Sequence, residues 1–162
     1  MKLKEVLKYK LTKNELAELK TSYDVIGSIA IIEIPEKLAK KEKLIANELM
    51  NLQKNIKTVC KKTSLYGGKY RTRKLKIIGG EKTKETEHKE NGVILKLDVE
   101  KVYFSPRLST ERQRIMNLVK PKESVLVMFS GCAPYVCVIA KNTKAKEVWG
   151  IELNPIAHKY GK

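Results

Sequence analysis

Two apolar runs and the turn between them decide the fold. The sequence V-L-V-M-F-S-G-C-A-P-Y occupies residues 125–135, and E-V-W-G-I-E-L-N-P occupies residues 147–155. The first run stops at four small residues and a proline, which predicts a strand, a tight turn and the start of a helix. The second run predicts another strand, which ends at one acid, Glu152. Together they predict the first βαβ unit of a nucleotide-binding sheet.

The turn and the acid both suit a nucleotide. Small residues let backbone N–H groups approach an anion near a helix N-terminus, and a carboxylate after the second strand can accept hydrogen bonds from a ribose diol. A strict G-x-G-x-x-G motif is absent, because Ala133 stands where a second glycine is expected. An ordinary βαβ crossover would also explain the turn. Asn154 and Pro155 follow the acid after one residue, and this order of strand, acid, x-N-P and helix resembles the pattern of class I methyltransferases that bind S-adenosylmethionine.

The composition favours a polyanionic partner. The chain has 162 residues, and 42% of them are apolar, so it can build a core. Its 34 Lys and Arg residues, against 18 Asp and Glu residues, leave a net charge of +16. Nucleic acid and an anionic membrane surface are the candidate partners for a charge of that sign.

The sequence lacks the signals of a membrane-spanning, secreted or zinc-binding protein. No apolar run approaches the ~20 residues that cross a bilayer, and the lysine-rich N-terminal stretch does not resemble a signal peptide. The three cysteines, Cys60, Cys132 and Cys137, are odd in number and their spacing suits no zinc site. We expect a reduced, cytoplasmic protein with no membrane partner and no metal.

The rest of the chain predicts a mixture of helices and strands. Periodicity predicts helices over residues 2–20, 35–54 and 109–120, and strands over residues 23–34, 58–63, 70–78, 93–99 and 102–104. Thr12 and Glu15 have the spacing of a capping box, and Ser109 is a predicted N-cap. Turns are predicted at 27–28, 67–68 and 91–92. The charged stretch 79–90, which includes His88, is predicted to be a mobile loop.

The predicted fold class is α/β, with a boundary near residue 100. Residues 1–100 are expected to form a small mixed α/β module that contacts RNA. Residues 101–162 are expected to form the first, incomplete part of a Rossmann-like domain that binds S-adenosylmethionine.

Four blocks of the sequence resemble one known family. They are H-K-E-N-G (88–92), V-Y-F-S-P-R-L-S-T-E-R-Q-R-I (102–115), M-F-S-G-C-A-P (128–134) and I-E-L-N-P (151–155). In one register from residue 23 to residue 162, the chain resembles the archaeal and eukaryotic tRNA (guanine-N1) methyltransferase, which modifies the guanosine 3′ to the anticodon. The resemblance implies methyl transfer from S-adenosylmethionine, with tRNA as the partner.

The resemblance also implies roles for single residues. Guanine N1 carries a proton and needs a base, and charge that develops at O6 needs a cation. Glu111 is implied as the base, with a pKa raised by partial burial, and Arg107 and Arg71 as cations that hold the guanine or its phosphate. Arg112 is expected to support this site. The expected RNA-binding residues are Arg71, Arg73, Lys74 and Arg112, with Arg71 and Arg73 on one face of a strand.

The cofactor is expected to bind to the turn and to the end of the second strand. The residues implied are Met128, Phe129, Ser130, Gly131, Cys132, Ala133, Pro134, Tyr135, Glu152, Leu153 and Asn154. Core packing explains Tyr135 equally well.

The sequence departs from the family in two ways. Val127 stands where the family usually has an acid, so cofactor affinity is expected to suffer. A class I sheet also has more strands than the two predicted in residues 125–155. We therefore expect little or no turnover from the chain alone, and a partner chain or a second copy that covers the incomplete sheet.

Other interpretations remain open at this point. Arg107 and Glu111 have the spacing of a simple i, i+4 ion pair, and Arg71 with Arg73 fits a solvated strand edge. A non-catalytic tRNA-binding module would explain the charge. The wyosine-pathway aminocarboxypropyl transferase has a similar fold but generally lacks the Pro-Arg-Leu found at 106–108. A dehydrogenase fits the residues after Glu152 poorly.

Overall fold

The computed structural model describes residues 2–162 and divides into two compact units. The first unit is Met1–Leu65 with Arg73–Lys84, and the second is Tyr66–Thr72 with Glu85–Lys162. The structure therefore divides the chain elsewhere than at residue 100. The physical reason is the hairpin described below over residues 85–98, which packs with the C-terminal elements.

The first unit begins with two short helices, α1 (Leu3–Leu7) and α2 (Lys13–Glu18). The single helix predicted over residues 2–20 is wrong, because Thr12 starts a new helix. Its Oγ1 accepts from Glu15 N at 3.3 Å, while Glu15 Oε2 accepts from Thr12 N at 2.8 Å, so the predicted capping box is confirmed.

A four-stranded sheet completes the first unit. Its order is β1 (Tyr23–Ile26), β2 (Ile29–Ile32), β3 (Thr58–Lys62) and β4 (Leu75–Gly80). The parallel step from β2 to β3 passes through a 3₁₀ helix (Glu36–Lys41) and α3 (Glu42–Leu52). Apolar side chains of α3 and of the sheet form the core, among them Ile45, Leu49, Ala30, Ile32 and Val59.

The strand predicted over residues 70–78 is wrong in its first half. β4 begins only at Leu75, and Arg71 lies in a turn with φ +50°. Arg71 and Arg73 therefore do not share a strand face. They fall in different units, Arg71 in the second and Arg73 in the first.

The second unit opens with an antiparallel hairpin of β5 (Glu85–Glu90) and β6 (Val93–Asp98). Asn91 and Gly92 both take positive φ, as the predicted turn requires. The mobile loop predicted over residues 79–90 is wrong. In β5 the side chains of Thr86, His88 and Glu90 turn inward, while their charged neighbours are exposed. Burial therefore alternates with the period of two that is typical of a strand, although most of the residues are charged.

The predicted βαβ unit is confirmed in the same unit. A 3₁₀ turn (Pro106–Leu108) leads into α4 (Ser109–Leu118), so Ser109 is inside the helix rather than its cap. Then come β7 (Ser124–Met128), α5 (Pro134–Asn142), β8 (Glu147–Ile151) and α6 (Pro155–Tyr160). β7 and β8 pair in parallel, with Leu126 opposite Trp149 and Met128 opposite Ile151.

One face of the β7–β8 pair is apolar and exposed. Leu126, Met128, Trp149 and Ile151 are each more than half exposed, between 54% and 62%. Because side chains alternate along a strand and these four residues are paired across the two strands, they form one contiguous apolar surface. A patch of this kind marks an interaction surface or an aggregation risk.

The cysteines are structural. Cys60, Cys132 and Cys137 form no disulfide among the described residues. Burial raises the pKa of Cys132 to about 12 and also raises the pKa of Cys137, so neither is a ready nucleophile. Among residues 2–162, no helix has the length and apolarity to cross a bilayer, and no group of three acidic, His or Cys side chains is arranged to hold a metal ion.

His88 makes the stability of the second unit depend on pH. Its ring lies edge-on to Phe104 with centroids 5.1 Å apart, and its Nε2 is 3.4 Å from Glu90 Oε2. Burial lowers the pKa of His88 below its usual 6.5, although Glu90 opposes the change. As the pH is lowered below about 6.5, His88 takes up a proton in the unfolded chain but not yet in the folded chain. The free energy of unfolding should therefore decrease with falling pH until the pKa of the folded state is reached.

Urea unfolding between pH 5 and pH 8 tests this expectation. The variant H88Q should lose part of the decrease, whereas H158Q, which removes an exposed histidine on α6, should retain it. An identical pH profile for H88Q and the unsubstituted chain would contradict the assignment to His88.

Candidate functional site

A cavity of about 690 Å³ lies within the second unit. Four segments build it: the hairpin 66–72, the connection after β6 that carries Tyr103, the turn after β7, and the connection from β8 into α6. The residues that line it are Tyr66, Lys69, Tyr70, Arg71, Tyr103, Phe129, Gly131, Glu152, Leu153, Asn154 and Ala157. Its size lies within the range of small-molecule sites.

The carboxylate of Glu152 joins the end of β8 to the turn after β7. Its Oε2 accepts from Gly131 N and its Oε1 accepts from Asn154 N, both at 2.7 Å. The predicted proximity of the turn and the acid is therefore present. A carboxylate has about four lone-pair sites, so roughly half of its accepting capacity is left for the hydroxyl groups of a ribose.

The turn after β7 contains three residues in the left-handed region. Phe129, Gly131 and Ala133 have φ of +56°, +60° and +61°. Glycine adopts this conformation without cost, whereas each of the other two stores about 1–2 kcal/mol of strain. Ala133 thus takes the conformation that the expected glycine would have supplied. Strain of this kind persists where a site requires a particular backbone path.

Asn154 and Pro155 act by starting α6. Asn154 Oδ1 accepts from Ile156 N at 3.0 Å and from Ala157 N at 3.4 Å, and its Nδ2 donates to Lys101 O at 2.8 Å. Pro155 occupies the first helical position, where no N–H is needed. The side chain of Asn154 is committed to these bonds, so its contribution to the site is to place Glu152.

The structure brings together five of the residues predicted to hold the cofactor: Phe129, Gly131, Glu152, Leu153 and Asn154 line the cavity. Ser130 and Ala133, with Gly131, line a neighbouring cavity of about 80 Å³.

The other four predicted cofactor residues lie outside both linings. Met128 is on the exposed sheet face, while Cys132 and Pro134 are buried behind the turn. The ring of Tyr135 lies 5.8 Å from the Arg112 guanidinium, in keeping with the packing interpretation.

Of the basic residues predicted to bind RNA, only Arg71 lines the cavity. Arg73 and Lys74 belong to the first unit. Arg107, a predicted catalytic cation, is exposed at the 3₁₀ turn and is not part of the lining.

The predicted base, Glu111, is not in the cavity lining either. Its carboxylate accepts from Arg114 Nε and Nη2, both at 2.8 Å, and its side chain is 42% exposed. The expectation of a raised pKa is wrong, because the hydrogen bond from Arg114 outweighs partial desolvation and lowers the pKa of Glu111. In this arrangement Glu111 is a weak base.

Arg112 is buried and cannot contact RNA directly, so its prediction as an RNA-binding residue is wrong. It is 1% exposed and forms a two-pronged ion pair with Glu90, with Nη2 at 2.7 Å from Oε2. The same nitrogen donates to Ser105 O at 3.0 Å, and the guanidinium lies 5.0 Å from the Phe104 ring centroid. Arg112 therefore connects β5 to the segment that carries Arg107 and Glu111.

Five residues of the cavity were not predicted from the sequence: Tyr66, Lys69, Tyr70, Tyr103 and Ala157. A signal was present in Y-G-G-K-Y-R (66–71), where a two-glycine turn is flanked by aromatic and basic side chains. That combination is typical of nucleic-acid contacts.

The sequence matches known families along almost its full length. Residues 3–83 match the TYW2 N-terminal domain, and residues 86–162 match the TRM5/TYW2 methyltransferase domain. The chain belongs to the TRM5/TYW2 family. The likeness to tRNA (guanine-N1) methyltransferases and the Rossmann-like fold, both predicted from the sequence, are thereby confirmed.

Individual TRM5/TYW2 relatives are similar over most of this chain. The tRNA (guanine(37)-N(1))-methyltransferase Trm5b of Pyrococcus abyssi is 50% identical over 142 residues, which are 88% of this chain and 42% of that protein. The complex of aTrm5 with tRNALeu matches with a TM-score of 0.86 at 35% identity, over 99% of this chain and 47% of that one.

A TYW2 structure is also similar. Pyrococcus horikoshii TYW2 in complex with MeSAdo matches with a TM-score of 0.75 at 30% identity, over 98% of this chain and 55% of that one. This chain therefore spans about half the length of these relatives.

Proposed function

We propose that this protein is a tRNA (guanine-N1) methyltransferase for the guanosine 3′ to the anticodon, with S-adenosylmethionine as the methyl donor and with weak or no activity from the chain alone. The observation that carries the proposal is the carboxylate of Glu152, fixed to the turn by Gly131 N in the same cavity that Arg71 lines. An acceptor for a ribose and a cation for a nucleobase thus share one space. The family and the net charge of +16 support the same function.

The residues of the chain would divide the chemistry between them. S-adenosylmethionine, when bound, would supply an electrophilic methyl group whose S–C bond breaks to leave the thioether S-adenosylhomocysteine. Guanine N1 must lose its proton to a base as the new N–C bond forms. Arg71 lines the cavity, and in this proposal its guanidinium stabilises negative charge at O6. We retain Glu111 as the base, which requires that its carboxylate leave Arg114 and turn toward the substrate.

A second candidate is the aminocarboxypropyl transfer of the wyosine pathway. The match of residues 3–83 to the TYW2 N-terminal domain favours it, and the Pro-Arg-Leu at 106–108 opposes it. Mass spectrometry of the modified nucleoside separates the two, because a methyl group and an aminocarboxypropyl group differ in mass.

Two binding measurements test the proposal on this chain. Calorimetry should show S-adenosylmethionine binding, and filter binding should show tRNA affinity that falls steeply between 50 and 200 mM salt. A protein with several phosphate contacts loses at least about 100-fold over that range. Tight, salt-dependent tRNA binding without cofactor binding would instead indicate a non-catalytic tRNA-binding module. A cytoplasmic location suits a tRNA-modifying enzyme whose described cysteines form no disulfide.

A further inference from the structure

The hairpin 66–72 is a separate contributor to the second unit. Its sequence is Y-G-G-K-Y-R-T, and the residues on either side of it belong to the first unit. Gly67 N donates to Thr72 O at 2.9 Å and Arg71 N donates to Gly68 O at 3.2 Å, so the chain reverses within a few residues. Gly68 takes φ +69°, a conformation open to glycine.

The hairpin supplies aromatic rings to a cavity that already contains two others. Tyr66 and Tyr70 are 44% and 39% exposed, and Tyr103 and Phe129 are 46% and 83% exposed. Tyr66 lies edge-on to Tyr103, with centroids 5.3 Å apart and ring planes at 66°. These rings therefore keep a large part of their surface available to a ligand.

The hairpin places cations beside the rings. Lys69 Nζ lies 5.7 Å from the Tyr70 ring centroid, and Arg71 lines the same cavity. Neither a ribose nor a phosphate needs an aromatic wall. An unstacked nucleobase does need one, because aromatic side chains replace the stacking with neighbouring bases that it has lost. Nearby cations then bind the phosphate backbone of the same nucleotide.

On the basis of the proposed function, we propose that Tyr66 and Tyr70 stack on the target purine of the RNA once it has left the anticodon-loop stack. Glu152 accounts for the ribose of the cofactor, and the hairpin rings provide a separate aromatic surface in the same cavity. An enzyme that modifies a ring atom of a stacked base has to take that base out of the stack and hold it.

The test compares tRNA that carries guanine at the target position with tRNA that is abasic there. The unsubstituted chain should bind the first about tenfold more tightly, the usual gain for one base stacked on an aromatic side chain. Y66A and Y70A should lose this preference, whereas Y66F and Y70F should keep it because the ring remains. The affinity for S-adenosylmethionine should be unchanged in all four variants.

Tyr9 offers a matched control. It is an exposed tyrosine of the first unit, and the Nζ of its neighbour Lys8 lies 5.8 Å from its ring centroid. The arrangement matches that of Lys69 and Tyr70, where the distance is 5.7 Å. Y9A should retain the preference for base-bearing tRNA. Thermal unfolding of Y66A and Y70A identifies any variant that fails to fold. If Y66A does not fold, the comparison of Y70A with Y70F is sufficient for the test.

Each remaining result has a definite meaning. A preference that survives in both alanine variants overturns the inference alone. Loss of S-adenosylmethionine affinity in Y70A, with the tRNA preference intact, means that the ring stacks on the adenine of the cofactor, and also overturns it. If the unsubstituted chain binds no tRNA at all, the proposed function fails and this inference fails with it.

Discussion

The substitution E152Q is expected to lower the affinity for S-adenosylmethionine by at least about 100-fold, because charge-assisted hydrogen bonds are each worth about 1.5–3 kcal/mol. The carboxylate accepts from Gly131 N and Asn154 N at 2.7 Å. A glutamine has one oxygen, so its NH₂ group must face one of these two donors. The variant therefore loses one of these two bonds, and its neutral amide is a weaker acceptor than the carboxylate for the ribose that the proposal places there. Isothermal titration calorimetry measures the change.

Glu147 provides the matched control for this substitution. It lies at the other end of β8, where its exposed carboxylate accepts from Ser124 Oγ at 2.7 Å. E147Q should bind the cofactor as the unsubstituted chain does. Equal affinities for E152Q and the unsubstituted chain would show that Glu152 is not the ribose acceptor.

The substitution R112A is expected to destabilise the second unit by about 3–5 kcal/mol, the usual effect of removing one partner from a buried ion pair. Arg112 is 1% exposed, and its removal leaves the carboxylate of Glu90 buried without its main partner. The bond to Ser105 O and the contact with Phe104 are also lost. Urea unfolding followed by circular dichroism gives the difference in the free energy of unfolding.

Arg114 is the control, two residues further along α4. It pairs with Glu111 at the surface, where solvent screens the interaction, so R114A should leave the unfolding free energy close to its original value. The double variant E90L/R112M should recover much of the loss, because an apolar pair of similar volume needs no desolvated charge. Equal stabilities for R112A and R114A would contradict the role assigned to the buried pair.

The βαβ unit could be predicted because its determinants are local. The apolar runs, the small-residue turn, Pro134 and the Asn154-Pro155 cap all act on neighbouring backbone. Strand β5 was missed because its inward positions include His88 and Glu90, which are accommodated by Phe104 and Arg112 from distant parts of the sequence. Tertiary contacts of this kind leave no apolar pattern.

The candidate site was predictable only where backbone geometry determines it. The bond from Gly131 N to Glu152 follows from parallel strands that end at the same edge. The environment of Glu111 could not be predicted in this way. Arg114 lies one turn further along α4 and pairs with Glu111, and the sequence does not show which face of the helix this pair occupies. The turn at residues 67–68 was predicted, but residues 70–72 of the same hairpin were predicted to be strand, although they lie in a turn at the cavity.

The apolar face of β7–β8 gives the protein an internal optical reporter. Trp149 is the sole tryptophan of the chain and lies on that face, 62% exposed and opposite Leu126. An indole in water emits at longer wavelength than one packed against protein. The wavelength of its emission maximum therefore reports, without any label, whether another polypeptide or a second copy of the chain covers Leu126, Met128 and Ile151.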